Sequence, residues 1–407
     1  MSNPVFFKIC LYIFSCYAYI FGRIGLLIPF PKVLKLRGQR AAAALARCMR
    51  EEAVNRPVII TDAGLFGMGM HRPIVAVLQE YGMQVKVFSE VTSDPSLEVV
   101  RAGIAACRAH NYDAVVAFGG GSVMDAAKLI NVCSKKDRAP ESTLGLFRVL
   151  RRGPFFACIP TTAGTGSEVT VAAVITDNQA GKKLVSISPC LLPHYAVLDE
   201  SYLRDLPAHL VAGAGIDALT HALEAFLSRV ANTHISQQAL EAVRLVYANL
   251  EVAVSEAANM QAKANMLEAS HLAGQAFTRA SVGWVHAIAH QLGALYHVHH
   301  GLANAIVLPK ILNFYLDGQE KKLAKLSYAL ELCPAGKSRA EAAKIFVDSV
   351  VELNNKVGIP GRVKQLRQED ISIIAQRAFN ETVMTPYPVP KYFSSIKDLE
   401  ACIGQLI

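Results

Sequence analysis

Short runs of apolar residues with high β-propensity alternate with stretches of helical periodicity in the first half of this 407-residue chain. Strands that alternate with helices in this way pair in parallel and form an α/β domain. Helical spacing is clearest at residues 97–109, directly before the run that leads into Gly119. The predicted strands are residues 57–62, 85–88, 114–118, 155–159 and 171–176.

From Ala208 onward the chain has long Ala- and Leu-rich helical patterns and few strand signals. A chain of this length exceeds the usual size of a single domain. We therefore predict a hydrophobic N-terminal extension (1–32), a Rossmann-like α/β domain (33–205) and an all-helical domain (206–407), for which the motifs below indicate dinucleotide binding and metal binding respectively. A cleft between two such domains is a favoured place for a ligand, so we expect the active site there.

Composition narrows the classes of function. Apolar residues make up 52% of the chain, which is typical of a globular protein. The net charge is +8, but no block of Lys and Arg stands out, so we expect no nucleic-acid partner. Nine cysteines without a C-x-x-C pair indicate free thiols in a reducing compartment, and we expect a cytoplasmic protein.

The N-terminus is unusually apolar. Residues 9–21 carry no charge, and after Arg23 residues 24–30 are apolar again. This run is short for a membrane span and lacks the small residues of a signal-peptide cleavage site. With the basic stretch at 32–40 it predicts an uncleaved segment in or against the inner face of a membrane. Packing on the protein body or in an oligomer interface is the alternative, and a true span also stays open.

A glycine-rich turn follows the run 114–118. Gly119–Ser122 reads Gly-Gly-Gly-Ser and opens a helical stretch that carries Asp125 and Lys128. Glycines let backbone N–H groups approach a phosphate, and the helix N-terminus adds free donors and the positive end of a dipole. The motif therefore indicates a pyrophosphate site, although alone it would also fit a tight turn.

Two further features favour a dinucleotide. The loop at 160–168 combines threonines and glycines at the end of the next predicted strand. Hydroxyls there could donate to phosphate oxygens or cap a helix. Asp62 ends an early strand, where it could accept hydrogen bonds from a ribose diol and repel a 2′-phosphate, which favours NAD over NADP. An N-cap or turn aspartate is the alternative.

Histidines and one aspartate recur at helical spacing in the second half. Asp217 and His221 are four residues apart, as are His286 and His290, and three more histidines lie within 297–300. Side chains four apart share one face of a helix. A carboxylate with imidazoles suits a divalent metal such as Fe(II) or Zn(II). Any single histidine could be a surface or core residue, but unpaired polar groups are costly in such apolar helices.

Four ordered motifs together resemble the iron-containing (group III) alcohol dehydrogenase family. They are residues 119–128, 160–170, 215–225 and 283–301, and the resemblance covers roughly residues 40–400. It implies a dinucleotide domain joined to a helical domain, a homodimer, bound Fe(II) with Zn(II) as an alternative, and NAD as the cofactor.

The resemblance also implies a role for individual residues. The metal ligands would be Asp217, His221, His286 and His300, and His290 would be the nearby histidine that relays a proton. Lys183 would lie near the cofactor ribose. The implied cofactor-binding residues are Asp62, Gly120, Gly121, Ser122, Asp125, Thr161, Thr162, Thr165, Thr170 and Lys183.

Two segments depart from the family pattern. Family members usually begin near residue 33, so the role of the N-terminal extension is not inherited. Near the C-terminus the family often has an Asn-Pro-Arg-like stretch, where this chain has Thr385–Pro390. That difference bears on oligomer contacts or local packing.

These features predict a metal-dependent, NAD-linked alcohol dehydrogenase or aldehyde reductase acting on a primary alcohol. The apolar N-terminus favours a medium- or long-chain substrate. A glycerol-dehydrogenase-like polyol oxidoreductase and a dehydroquinate-synthase-like lyase remain alternatives, as does a membrane-recruited binding protein without activity.

Overall fold

The computed structural model describes residues 4–135, 138–177 and 182–407. The chain divides into two compact units. Phe30–Asp205 forms an α/β unit, and Leu206–Ile407 forms a helical unit together with the N-terminal segment up to Pro29.

The α/β unit is built on a six-stranded sheet in the order β1-β9-β6-β4-β2-β3, in which every pair is parallel. Its central strand β4 is buried at all six positions, which explains its continuous apolar sequence. The predicted parallel α/β architecture is confirmed. The strands are β1 (Leu34–Arg37), β2 (Pro57–Asp62), β3 (Lys86–Val91), β4 (Ala114–Gly119), β6 (Phe155–Pro160) and β9 (Tyr195–Leu198).

A second, smaller sheet holds three strands in the order β5-β8-β7. They are β5 (Gly145–Leu146), β7 (Ala172–Asp177) and β8 (Lys182–Ile187). The strand predicted at 171–176 is β7, but it lies in this sheet and not in the parallel one. It pairs antiparallel with β8 over six residues, and that pairing competes successfully with addition to the main sheet.

Helices cover the parallel sheet. Helices α5 and α6 share a core with the sheet in which Val100, Ile130, Val115 and Ile60 are fully buried. The helices of this unit are α2 (Ala41–Glu51), α3 (Ala63–Gly67), α4 (Arg72–Glu80), α5 (Leu97–Ala109) and α6 (Gly121–Ser134).

The second unit is helical throughout its described residues, as predicted. Its central helix α7 (Ala208–Leu227) is long and apolar enough to cross a bilayer, but 94% of the apolar window is buried inside the protein, as in a core helix. The others are α1 (Pro4–Gly25), α8 (Thr233–Ser255), α9 (Met260–Ala280), α10 (Trp284–Tyr296), α11 (His300–Ala329), α12 (Arg339–Lys356), α13 (Ile371–Met384) and α14 (Ile396–Gly404). Helix α11 is interrupted at Asp317–Gln319, where Gly318 has φ +96°.

Candidate metal and cofactor sites

Three of the four predicted metal ligands meet inside the helical unit. The side-chain donor atoms of Asp217, His221 and His286 all lie within 4.8 Å of one another, and all three residues are buried. Helix α7 presents Asp217 and His221 on one face because they are one turn apart. Helix α10 supplies His286, whose Nε2 lies 2.9 Å from Nε2 of His221.

The fourth predicted ligand begins helix α11. Nε2 of His300 lies 3.6 Å from Oδ1 of Asp217, and Nε2 of His286 lies 3.8 Å from the same oxygen. Burial lowers the pKa of His300 to about 4 and holds the pKa of His286 well below its usual value. Neutral imidazoles offer lone pairs, so one carboxylate and three imidazoles form a donor set that fits a divalent first-row metal.

Glu224 orients one of these imidazoles. It lies on α7 one turn beyond His221 and is buried. It accepts hydrogen bonds from the backbone N–H groups of Gly283 (2.7 Å) and Val285 (2.8 Å) and from Nδ1 of His286 (2.6 Å). Burial raises the pKa of Glu224 to about 7. The backbone N–H groups donate to both oxygens of Glu224 and stabilise its carboxylate form, which can only accept. Opposite that carboxylate, Nδ1 of His286 carries the proton and its Nε2 lone pair faces the cluster.

Asn304 lies among the ligand atoms. Its Nδ2 is 2.7 Å from Oδ1 of Asp217, 3.1 Å from Nε2 of His300 and 3.3 Å from Nε2 of His286. Its Oδ1 is buried and has no hydrogen-bond partner among the described residues. A buried polar atom without a partner, beside four predicted metal ligands, fits a site built around a cation. Neither Glu224 nor Asn304 was among the predicted site residues.

His290 lies beside the cluster but is held by other groups. Its Nδ1 is 2.6 Å from Oε1 of Glu381, and its ring stacks on that of His300 with centroids 5.5 Å apart. Glu381 also accepts from Gln291 Nε2 (2.8 Å) and from the hydroxyl of Tyr387 (2.9 Å). The stretch that departs from the family pattern thus contributes Tyr387 to the support of His290.

The two predicted phosphate loops adjoin in the α/β unit. Strands β4 and β6 are parallel neighbours, so the loops that follow them emerge at the same edge of the sheet. A Cβ on Gly121 would lie 2.8 Å from Cγ2 of Thr165, and one on Gly120 would lie 3.5 Å from Oγ1 of Thr162. Thr161 is buried at the start of the second loop. The absence of a side chain at Gly121 therefore lets the loops approach each other.

Other predicted cofactor residues hold this region together. Asp125 of α6 accepts from Oγ of Ser167 (2.7 Å) and from N of Val174 (2.9 Å). Lys128, fully buried, donates to Oγ of Ser167 (2.7 Å) and to Oγ1 of Thr170 (2.9 Å). Asp125 and Thr170 thus take part in an internal network centred on Lys128, a residue outside the predicted site.

The remaining three residues also have protein partners. Asp62 caps α3 by accepting from N of Leu65 at 2.9 Å, which is the alternative role considered for it above. Lys183 forms an ion pair with Asp94, and the hydroxyl of Ser122 donates to a backbone carbonyl. Contacts of these residues with a nucleotide stay predictions.

Comparison with protein-family models agrees with this geometry. Residues 35–200 match the model "Iron-containing alcohol dehydrogenase". Residues 211–399 match the model "Fe-containing alcohol dehydrogenase family, C-terminal". The two matches together cover most of both structural units.

Characterised relatives match along most of their length. A 1,3-propanediol dehydrogenase of Klebsiella pneumoniae is 35% identical over 330 residues, which are 80% of this chain and 85% of the relative. An NAD-dependent methanol dehydrogenase of Bacillus methanolicus is 30% identical over 353 residues, 86% of this chain and 93% of the relative. A lactaldehyde reductase of Escherichia coli K12 is 31% identical over 348 residues, 84% and 91% respectively.

Solved structures give the same result. A crystal structure of a 1,3-propanediol oxidoreductase matches with a TM-score of 0.89 at 31% identity and covers 93% of this chain and all of its own. An alcohol dehydrogenase from Oenococcus oeni matches with a TM-score of 0.89 at 27% identity and the same coverage. Sequence motifs, fold and relatives agree, and the chain belongs to the iron-containing alcohol dehydrogenase family.

Proposed function

We propose that this chain catalyses the reversible transfer of a hydride between a primary alcohol and NAD at a divalent metal centre. The observation that carries the proposal is the convergence of buried Asp217, His221 and His286 with His300, whose side chain is partly exposed at the edge of the cluster. Family membership supports the reaction class, since the relatives include dehydrogenases named for alcohols and a reductase named for an aldehyde.

The four clustered groups would hold Fe(II), with Zn(II) as the alternative that the same donors accept. When bound, such an ion supplies Lewis acidity toward the alcohol or carbonyl oxygen, and NAD supplies the hydride acceptor. Glu224 keeps the Nε2 lone pair of His286 directed at the cluster through the proton on Nδ1. Burial of Asp217, His221 and His286 keeps competing water away from their donor atoms.

We assign to His290 the transfer of the proton from the alcohol oxygen. Because Glu381 holds its Nδ1, the ring presents Nε2 to accept the proton that the alcohol oxygen loses. The His290 side chain is 29% exposed, so the proton has a route to solvent. In the reverse direction the same atom donates to the aldehyde oxygen.

The α/β unit would bind NAD through its two loops. The N-cap residue of helix α6 is Gly120, which has no side chain, so the first N–H groups of the helix are not occupied by a capping side chain. Asp62 is assigned to the adenosine ribose and favours NAD over NADP. The remaining assignments are Gly120, Gly121 and Ser122 to the pyrophosphate, Thr161, Thr162, Thr165 and Thr170 to the phosphates and nicotinamide, Asp125 to support of the loop, and Lys183 to a ribose.

We further propose a homodimer on the cytoplasmic side, with contact to the inner face of a membrane through the N-terminal segment. Membrane contact favours medium- or long-chain alcohols, which partition into lipid. A polyol substrate and the lyase reaction are the competing functions. The assay separates the lyase from both dehydrogenase functions, because the lyase gives no net NADH.

The test is an anaerobic assay of the purified protein, reconstituted with Fe(II) or Zn(II), with NAD and primary alcohols from ethanol to hexadecanol. We expect metal-dependent formation of NADH that increases with chain length. Activity that peaks at short alcohols would refute the long-chain assignment, and activity with glycerol alone would favour the polyol function. Absence of NADH formation from NAD, and of NADPH formation from NADP, with either metal would refute the dehydrogenase function.

His286→Ala tests the role of the metal. Loss of one imidazole should abolish metal retention and NADH formation together, as measured by elemental analysis and absorbance. His234→Ala is the matched control, because His234 is an exposed histidine on α8 of the same unit. A His286→Ala protein that is active without metal would rule out the proposed mechanism.

A further inference from the structure

The N-terminal helix α1 exposes a continuous apolar face. Ile13, Tyr17, Ile20 and Ile24 are each more than half exposed, at 58%, 52%, 56% and 57%. Their spacing of four, three and four residues places them in one stripe along the helix. We call these four residues the outer stripe.

The opposite face of α1 is fixed to the helical unit. Leu11 and Ala18 are buried, and a Cβ on Gly22 would lie 2.8 Å from a valine methyl group of the unit. Arg229 donates to the backbone carbonyl of Ser15 at 3.0 Å. Because the inner face is held in this way, the outer stripe faces away from the body of its unit and is available to bind something else.

Charge indicates what covers the outer stripe. Lys and Arg occupy eight of the first 50 positions, and the first acidic residue is Glu51. The whole chain has 41 basic and 33 acidic residues, so its entire net charge of +8 comes from this segment and residues 51–407 are balanced. Apolar and tyrosine side chains combined with an excess of positive charge suit the surface of an anionic bilayer.

A second copy of the chain fits this surface less well. Pairing of two α1 helices would form no ion pairs between them, because the helix has basic residues and no acidic residue, and like charges oppose such pairing. Tyr12, Tyr17 and Tyr19 are exposed by 73%, 52% and 38%. Tyrosine rings are favoured at the headgroup level of a membrane, where the ring is apolar and the hydroxyl stays in water.

We propose that the outer stripe docks α1 in the plane of an anionic lipid bilayer, with Ile13, Ile20 and Ile24 below the headgroups. The proposal deepens the membrane contact proposed above and is independent of the catalytic assignment. It gives the protein a lipid specificity, because neutral bilayers offer nothing to the basic segment.

The test is flotation of the full-length, metal-loaded protein with vesicles. One set is phosphatidylcholine alone, and the other contains phosphatidylglycerol as well. The variant Ile20→Glu/Ile24→Glu places two charges in the outer stripe. The control Val351→Glu/Ile373→Glu makes the same number of apolar-to-Glu changes at helical positions that are each 42% exposed.

We expect the wild type and the control to bind anionic vesicles, more weakly at high salt, and to bind neutral vesicles poorly. The stripe variant should bind anionic vesicles at least about tenfold more weakly, which corresponds to about 1.4 kcal/mol. The wild type, the stripe variant and the control should form NADH from a short alcohol at equal rates. The assay therefore distinguishes a failure of the proposed catalysis from a failure of the proposed docking.

Three results would overturn the proposal. The first is a wild type that does not float with anionic vesicles, and the second is equal binding by the wild type and the stripe variant. The third is a wild-type oligomer in light scattering that the stripe variant dissociates, without vesicle binding by either protein. That result would assign the outer stripe to a second copy of the chain.

Discussion

Replacing Glu224 with glutamine should weaken metal binding although the side chain keeps its size. Oε1 of Glu224 accepts from N of Val285, and Oε2 accepts from both N of Gly283 and Nδ1 of His286. A carboxamide has one acceptor oxygen and one NH2 group. Every orientation of glutamine therefore turns an NH2 group toward at least one N–H that now donates to Glu224.

The two orientations of Gln have different consequences. With its oxygen toward His286, the NH2 group faces the N–H of Val285, so that N–H loses its acceptor and the NH2 group finds none, at about 1–3 kcal/mol for each buried donor. With its NH2 group toward His286, Nδ1 must become the acceptor and the proton moves to Nε2. That tautomer has no lone pair for a metal. Loss of such a supporting hydrogen bond typically weakens metal affinity by about 10- to 100-fold.

The assay is competition for Fe(II) or Zn(II) with a chromophoric chelator, performed anaerobically on the metal-free proteins. Glu241→Gln is the control, since Glu241 is a surface residue of α8 with a side chain 52% exposed. We expect Glu224→Gln to bind metal about 10- to 100-fold more weakly and the control to match the wild type. Wild-type affinity in a folded Glu224→Gln protein would refute the reasoning.

Two further substitutions test other contacts. Glu381→Gln removes the charge from the hydrogen-bond partner of His290. We expect normal metal content, a kcat lower by at least about tenfold and a displaced pH–rate profile. An unchanged profile would exclude Glu381 from the proton path. His194 accepts a hydrogen bond from N of Phe156 at 3.0 Å, and burial lowers its pKa from 6.5 to about 4. Unfolding therefore takes up a proton at pH values between these two pKa values, and the stability of the fold decreases as the pH falls through that window. His194→Asn keeps an acceptor but cannot titrate, so urea unfolding should show a smaller loss of stability from about pH 7 to about pH 5 than in the wild type, whereas equal losses would contradict the assignment.

The central strands could be predicted because burial on both faces leaves a continuous apolar run. Strand β4 is the clearest case, and β2 has five of its six residues buried. The edge strand β1 and its neighbour β9 have only four residues each and were not predicted. Their pairing joins Leu34 to Tyr195, and no local pattern encodes a contact over such a separation.

The four proposed metal ligands could be singled out from the sequence because two of them share a helix turn and the others lie in a recognisable motif. The groups that support them act over longer distances. Glu224 meets His286 across 62 positions, and Glu381 meets His290 across 91. The sequence does contain one indication that Glu224 is a site residue, because an acidic side chain in a helix as apolar as α7 needs a buried partner. No comparable signal marked Glu381, which lies in an amphipathic helix.

Helix α7 carries Asp217, His221 and Glu224 within eight consecutive residues, and this spacing limits where the chain can tolerate insertions and deletions. Each residue turns a helix by about 100°. One inserted codon between these positions would rotate the later groups away from the cluster, although every amino acid type would still be present. An insertion in the short connection between α8 and α9 would carry no such penalty for the ligands. We therefore expect length variation among related chains to be absent from this segment of α7 and to occur in such connections.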